Sequence, residues 1–179
     1  MTARLLVATV AISLVACSPT DSPESAPDPF AVTVPAFTLG NSDNAQKNFS
    51  AAPLKGRNER PTPRDSKGTG QASFQLSEDG LSMTYKLNVT NLDGITQSHI
   101  HVGPIDDAGP VVVFLFGLVP SGVSSNGTLA EGTFTAANLV GPLAGATLAD
   151  LLAEMEAGNS YVNVHTLAFP PGEIRGQVR

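Results

Sequence analysis

The sequence predicts an all-β domain, an antiparallel Greek-key-like β-sandwich with one short inserted helix at about 147–157. Apolar and polar residues alternate through much of residues 48–179, which is typical of strands with one buried face. Segments rich in glycine, proline and small polar residues separate these runs. This pattern favours a sandwich or barrel over a parallel sheet.

The N-terminus is predicted to be an export signal over residues 1–16. One basic residue precedes the apolar run LLVATVAIS, which is shorter than the roughly 20 residues of a permanent membrane span. The next tetrapeptide, LVAC, resembles the bacterial lipobox, and Cys17 is the only cysteine of the chain. The resemblance implies that Cys17 carries a lipid; the alternative is an ordinary signal peptide with an incidental cysteine.

Composition divides the rest of the chain in two. Residues 17–47 contain SPTDSPESAPDP directly after Cys17 and are expected to form a Ser/Pro-rich tether with an accessory strand. Residues 48–179 are expected to form the folded domain. Removal of residues 1–16 takes away only Arg4, so nine Lys and Arg face sixteen Asp and Glu, a net charge of −7. This charge argues against nucleic acid and anionic membrane surfaces as partners.

The basic residues crowd one segment of this acidic chain. The crowded set is Lys47, Lys55, Arg57, Arg60, Arg64 and Lys67. Its first interpretation is a solvated loop, and its second is a binding patch.

The first part of the domain is predicted to be an antiparallel hairpin. QASFQL places Ala72, Phe74 and Leu76 on one face, and LSMTYKLNV alternates in the same way from Leu81 to Val89 around the turn SEDG. VVVFLF at 111–116 is apolar on both faces, which predicts a central strand covered on both sides. GTLAEGTFTA is a weaker strand with glycine breaks.

The single helix is predicted from spacing and caps. Leu148, Leu151, Leu152 and Met155 recur at helical intervals. Thr147 with Asp150 resembles a capping box, and Gly158 suits the position after the C-cap. YVNVHTLAF, PPG and EIRGQVR then predict strand, turn and strand, with Ile174 and Val178 on the inner face of the last strand.

The three histidines of the chain lie in two strand-like segments, SHIHV and YVNVHT. Side chains alternate along a strand, so His99 and His101 share a face opposite Ile100. The same alternation puts His165 opposite Val162 and Val164. Because the apolar residues take the core, all three histidines are expected on outward polar faces.

Two interpretations of these histidines stay open. If the strands are neighbours, His99, His101 and His165 offer three nitrogens to one ion, and imidazole suits copper or zinc. Otherwise they are structural side chains that form hydrogen bonds to loops. The positive charge of Arg175 near His165 counts slightly against a metal.

Other candidate sites are weaker. Asp106 and Asp107 lie in GPIDDAGP and are expected to form a turn instead of a calcium site. Glu173 and Arg175 are expected to form a cross-strand pair or an ordered structural network, and Glu59 and Asn163 are expected to belong to that network. Templates for hydrolases, metalloproteases, phosphate-binding loops and Cys-His pairs are absent from the sequence. We therefore expect no enzymatic activity and no catalytic residues.

Several landmarks together resemble the CHRD domain, first described in chordin. They are LKGRNERP, the stretch from GTGQASFQL to SHIHVGP, GPVVVFLF, and GNSYVNVHTLAFPPGEIRGQV. The resemblance covers about 48–179 and implies a β-sandwich-like domain in an extracytoplasmic setting. The family's characteristic residues here are Glu59, His99, His101, Gly103, Asn163, His165, Gly172, Glu173, Arg175 and Gly176. Arg60 and Gln97-Ser98 depart from the family pattern.

The sequence thus suggests a lipid-anchored binding protein of the cell envelope, on the outer membrane if the source is a diderm. The expected partners are the membrane, through the lipid, and an envelope or extracellular protein. Copper or zinc is the expected cofactor if the histidines converge. A protein-interaction module without metal and, less favoured, a metal-dependent enzyme are the alternatives.

Overall fold

The computed structural model describes residues 47–179. The expected signal peptide, the lipid site Cys17 and almost all of the tether lie outside these residues. The described part contains seven strands and one α-helix. The strands are β1 (Asn48–Lys55), β2 (Thr69–Leu76), β3 (Ser82–Val102), β4 (Val111–Phe116), β5 (Val123–Thr135), β6 (Ser160–Thr166) and β7 (Ile174–Gln177), and the helix is α1 (Leu148–Glu156).

Five of the strands close into an antiparallel barrel. β1 pairs with β2, β2 with β3, β3 with β6, and β6 with β7. The ring closes where Lys55 of β1 pairs with Arg175 of β7. The backbone N–H and C=O groups of Ser50 and Arg179 exchange two further hydrogen bonds of 2.8 Å. β4 and β5 are additional strands, and both pair with β3.

The all-β, antiparallel prediction is confirmed, but the expected sandwich is replaced by this barrel. The difference lies in β3, which is a single strand of 21 residues that pairs with four others. The register of its pairing with β5 shifts after Val89 and again after Leu92, and Asn91 and Gly94 have positive φ. The sequence NLDG is therefore an irregularity that bends one strand, not a turn between two strands.

The barrel interior is the main apolar core, and each barrel strand contributes to it. Leu54, Phe74, Ile100, Val164 and Ile174 come from the five strands and are all buried in one cluster. The predicted hairpin is confirmed, because β2 and β3 pair from Leu76 and Met83 onwards. Only Leu81 of the predicted apolar face is exposed, since it precedes the strand.

The prediction of a central, doubly covered β4 is wrong. β4 pairs with β3 alone, at the end of the strand order. Val112, Val113 and Leu115 are buried, whereas Phe114 is 55% exposed. The apolar run is partly explained by the ring of Phe114, which covers His99 at a centroid distance of 4.8 Å.

The helix forms as predicted. Thr147 and Asp150 make a reciprocal capping box, and Gly158 follows the C-cap with φ +67°. Leu148, Leu151, Leu152 and Met155 are buried in the core cluster. No helix among residues 47–179 is long and apolar enough to cross a membrane.

Candidate metal centre

The three histidines meet because β3 and β6 are neighbours. His99 pairs with Asn163, and Gln97 pairs with His165, in an antiparallel register. Ile100 of β3 and Val162 and Val164 of β6 point into the core. The histidines therefore project from the other face of the sheet, in the direction that the alternation predicts.

The histidines point away from the apolar core, as expected, but that face is covered and the three side chains are buried. His99 is 3% exposed, and His101 and His165 are each 7% exposed. The loop after β3 and the turn after β6 cover the rings, as their carbonyl groups show. The imidazole Nδ1 of His101 lies 2.8 Å from the carbonyl oxygen of Gly109, and Nδ1 of His165 lies 2.7 Å from that of Pro170.

These two contacts determine the tautomers of the rings. A carbonyl oxygen only accepts hydrogen bonds, so Nδ1 must carry the proton in both His101 and His165. In a neutral imidazole the other nitrogen, Nε2, is then an acceptor with a free lone pair. A backbone carbonyl that holds one ring nitrogen in this way is the usual support of a metal-binding histidine.

The free lone pairs converge on one point. One nitrogen from each of the three rings can be chosen so that all lie within 4.8 Å of one another. Nδ1 of His99 is 3.2 Å from Nε2 of His165. The remaining nitrogen of His99, Nε2, is buried and has no hydrogen-bond partner among the described residues.

Asn163 completes this convergence. Its side-chain oxygen Oδ1 lies 3.0 Å from Nε2 of His101 and 3.0 Å from Nε2 of His165. With both imidazoles neutral and protonated on Nδ1, these contacts join acceptor to acceptor. Such a group is stable only if a cation lies between the acceptors or if the amide turns its Nδ2 toward the rings.

Burial keeps the imidazoles in the neutral form. It lowers the pKa of His99 to about 3, and the charges of His165 and His101 add to this effect. Burial also lowers the pKa values of His101 and His165. Neutral imidazole is the form that binds metal ions, so protons compete weakly for this site.

Arg175 is directed away from the histidines. Its guanidinium lies over the ring of Tyr161, 3.5 Å from the centroid, and Tyr161 in turn stacks on His101 at 4.7 Å. It donates hydrogen bonds of 2.7 Å to the carbonyl oxygens of Asp107 and Pro104. The charge of Arg175 is only the last of the causes that lower the pKa of His101.

Glu173 and Arg175 form no direct pair. Glu173 accepts hydrogen bonds from Ser66 at 2.6 Å and Thr166 at 2.7 Å. The hydrogen bonds of Glu173 and Arg175 go to separate loops and neighbouring strands. The Asp106–Asp107 segment is a turn, as predicted, with the N–H of Asp107 bonded to the carbonyl of Pro104 at 3.3 Å.

Glu59 lies beside this network without a full set of partners. It is 3% exposed, and its Oε1 has no hydrogen-bond partner among the described residues. Gly172 makes room for it: a Cβ at this position would lie 2.8 Å from Oε1 of Glu59 and 2.9 Å from Nδ2 of Asn163. Gly172 therefore positions both side chains.

The sequence did not single out Asn163 as a ligand, although a signal was present. Asn163 precedes His165 by two residues, so the two share a face, and its side-chain oxygen is an acceptor of the right reach. The carbonyl groups of Gly109 and Pro170 had no such signal, because loop conformation decides where they point.

We predict that Gly172→Ala is more destabilising than Gly127→Ala. Gly172 and Gly127 have φ values of +130° and +128°, but a Cβ at Gly127 would meet nothing within 4 Å. Both variants therefore carry the backbone strain, of about 1–3 kcal/mol. The collision with Glu59 and Asn163 should cost Gly172→Ala at least about 1 kcal/mol more. Urea denaturation measures both values, and equal losses would contradict the close packing at Gly172.

We also predict a pH-dependent stability that a Glu59→Gln variant lacks. Burial raises the pKa of Glu59 from 4.5 to about 7, against the opposing charges of Arg175 and Arg64. Because the folded-state pKa is above the unfolded one, this stabilisation is complete below pH 4.5 and is lost as pH rises through about 7.

The free energy of unfolding of wild type relative to Glu59→Gln should thus fall by roughly 3 kcal/mol between about pH 4 and pH 8. Urea denaturation at both pH values gives this difference. The contribution of histidine titration is nearly the same in the two proteins and largely cancels. A difference that does not change with pH would mean that Glu59 keeps an ordinary pKa.

The comparison with known families agrees with the geometry. A family model of the CHRD domain matches residues 50–178, a range that includes all seven strands apart from the first residues of β1. No curated protein matches the sequence. The matched range also contains the three histidines, Asn163 and the two loops that cover them. The chain therefore belongs to the CHRD domain family.

Proposed function

We propose that the protein is a lipid-anchored, extracytoplasmic binding protein whose CHRD domain holds one copper or zinc ion through His99, His101 and His165. The observation that carries this proposal is that hydrogen-bond acceptors of two histidines and one asparagine lie close together in a buried space. Nε2 of His101 and Nε2 of His165 both lie 3.0 Å from the same oxygen of Asn163. A bound cation would turn this repulsion into attraction.

The distances fit a small metal ion. Zinc–nitrogen bonds of about 2.0–2.1 Å place tetrahedral ligands about 3.3–3.4 Å apart. The separation between His99 Nδ1 and His165 Nε2 is 3.2 Å, and the two contacts of Asn163 are 3.0 Å. The widest nitrogen pair, at no more than 4.8 Å, would have to shorten by at most about 1.5 Å.

The chemistry of the donors favours copper or zinc over calcium or magnesium. Three imidazoles provide borderline-soft nitrogen ligands, whereas calcium and magnesium need mostly oxygen. We propose Oδ1 of Asn163 as the fourth ligand, since it already lies in the group. The carbonyl oxygens of Gly109 and Pro170 would then hold the rings of His101 and His165 from behind.

A complete set of four protein ligands supports binding over catalysis. Catalytic zinc sites keep one coordination position open for water or substrate, and structural sites are closed. Asn163 would occupy that position here, and the rings are buried. A metal-dependent enzyme is therefore the least supported of the three candidate functions.

An interaction module without metal is the stronger alternative. If the amide of Asn163 is reversed, Nδ2 can donate to both Nε2 atoms and the group is satisfied without an ion. The histidines would then be structural, and the domain would act through its outer surface. His99 Nε2 is buried without a partner among residues 47–179, and it stays so when a metal binds through Nδ1 of His99, so this atom does not separate the two arrangements.

The cellular setting belongs to the same proposal. The lipobox-like LVAC before Ser18 supports lipidation of Cys17 and a place in the cell envelope, on the outer membrane in a diderm. The membrane would be contacted through the lipid, and an envelope or extracellular protein through the domain. The acidic net charge of −6 speaks against nucleic acid as a partner.

We predict that the purified, metal-free protein binds one equivalent of copper or zinc, and that His101→Ala weakens this binding at least about 100-fold because it removes one of three nitrogen ligands. Calorimetric titration measures stoichiometry and affinity. A saturating metal should also raise the melting temperature of wild type, since the ion binds only the folded state.

Asp106→Asn is the matched control, because Asp106 is an exposed acid outside the group that cannot share the ion. Its metal affinity should equal that of wild type. Absence of binding in wild type, or binding unchanged in His101→Ala, would favour the interaction module. Turnover of redox probes by the metal-loaded protein would instead favour the enzyme.

A further inference from the structure

A cleft at the barrel closure gathers arginines from opposite ends of the domain. Its volume is about 370 Å³, and its lining includes Arg57, Arg60, Arg175 and Arg179. We call this the arginine cleft. Its remaining wall includes Pro53 and Ile105, and the side chain of Ile105 is largely exposed.

The fold itself brings these charges together. Arg57 lies in the 3₁₀ turn Gly56–Asn58, directly after β1, and Arg60 follows it. Lys55 at the end of β1 pairs with Arg175 of β7. The strand pairing that closes the barrel therefore places the basic segment 55–60 beside the C-terminal arginines. The chain has ten Lys and Arg against sixteen Asp and Glu, and four of the ten line this cleft.

Negative groups in the cleft are too few to neutralise it. Asp106 contacts Arg60 at 3.8 Å, and its side chain is 87% exposed. No other carboxylate of the described residues lies within 4.0 Å of these four arginines. Arg175 is 1% exposed and is held by the carbonyl groups of Pro104 and Asp107.

The pKa of Arg175 responds to the neighbouring charges. Burial is the first cause that lowers its pKa; the interactions with Tyr161 and Glu59 oppose it, and the charge of Arg60 acts in the same direction as burial. Gathering such charges is unfavourable without a counter-ion. The guanidinium groups of Arg57 and Arg179 make no side-chain hydrogen bond or ion pair with the described residues and can reach a ligand.

We propose that the arginine cleft binds a phosphoryl group that is attached to a small organic group. Guanidinium groups match phosphate oxygens with two parallel hydrogen bonds, and burial of Arg175 holds one positive charge at the base of the cleft. The four arginines have the carboxylates of Asp106, Asp107 and Glu59 nearby, and Glu59 is buried with a raised pKa, so the cleft suits an anionic ligand. The apolar surface of Pro53 and Ile105 suits the carbon atoms next to the phosphoryl group.

The phosphoryl group can come from a soluble phosphomonoester or from a lipid headgroup. The acidic charge of the whole chain argues against a nucleic acid, which needs an extended basic surface. The cleft lies beside the stack of Arg175, Tyr161 and His101 but shares no ligand nitrogen with the metal centre. Phosphoryl binding and metal binding can therefore fail separately.

The test uses the full chain and follows the arginine Nε–H resonances by NMR. Inorganic phosphate and glycerol 3-phosphate are added at constant ionic strength, with sodium chloride as the blank. We expect saturable shifts at Arg57, Arg60 and Arg179. Vesicles of phosphatidylglycerol, with phosphatidylcholine as reference, form the second arm.

Arg57→Gln/Arg179→Gln is the informative variant, because it removes two charges whose guanidinium groups form no hydrogen bond or ion pair with residues 47–179. It should bind the phosphoryl probe at least about 10-fold more weakly than wild type. Lys67→Gln/Lys86→Gln removes the same charge outside the cleft and should stay within about twofold of wild type.

Saturable binding of soluble phosphate with this pattern supports a soluble ligand. A lipid headgroup is supported if the protein binds vesicles but not soluble phosphate, and if only the arginine double variant binds the vesicles more weakly. No binding in either arm, or equal weakening in the two double variants, overturns the proposal.

Discussion

Burial of β6 on both faces is the constraint on which the rest of the domain depends. All seven residues of this strand are buried. Val162 and Val164 meet the apolar core, so Tyr161, Asn163 and His165 must find polar partners on the other face. An unpaired polar group in such a place costs about 1–3 kcal/mol. The conformations of the covering loops follow from that requirement.

The two loops are tied to the strand by the same hydrogen bonds that prepare the centre. The turn after β6 supplies the carbonyl of Pro170 to His165, and the loop after β3 supplies the carbonyl of Gly109 to His101. Gly109 cannot be replaced easily, since a Cβ there would lie 1.7 Å from the carbonyl oxygen of Val102. Backbone geometry thus sets the imidazole tautomers, and the tautomers point two lone pairs at Asn163.

Burial shifts the pKa values of the histidines and of Glu59 in this layer. It lowers the pKa values of the three histidines and raises that of Glu59. The histidines are consequently neutral ligands in a place that water reaches poorly, where electrostatic attraction to a cation is strong. The guanidinium of Arg175 lies over the ring of Tyr161 and donates to two carbonyl groups.

Much of the fold and of the histidine site was predictable from period-two alternation. The remaining features depend on contacts between distant parts of the chain. Alternation gave the hairpin of β2 and β3 and the shared face of His99 and His101. It states which way a side chain points but not what covers it, so burial of the histidines was missed. The sequence pattern alone does not show that β3 continues through NLDG, because bulges and turns use the same residues. Barrel closure rests on Lys55 and Arg175, which are 120 positions apart.

The central claim is that the fold presents two neutral imidazoles with free Nε2 lone pairs to one cation. Long-range ¹⁵N–¹H NMR of the imidazoles, recorded without metal and with zinc, tests this most directly. Our account predicts that His101 and His165 are protonated on Nδ1 in both states, and that their Nε2 resonances shift when zinc binds. Protonation on Nε2, or spectra that zinc leaves unchanged, would contradict it.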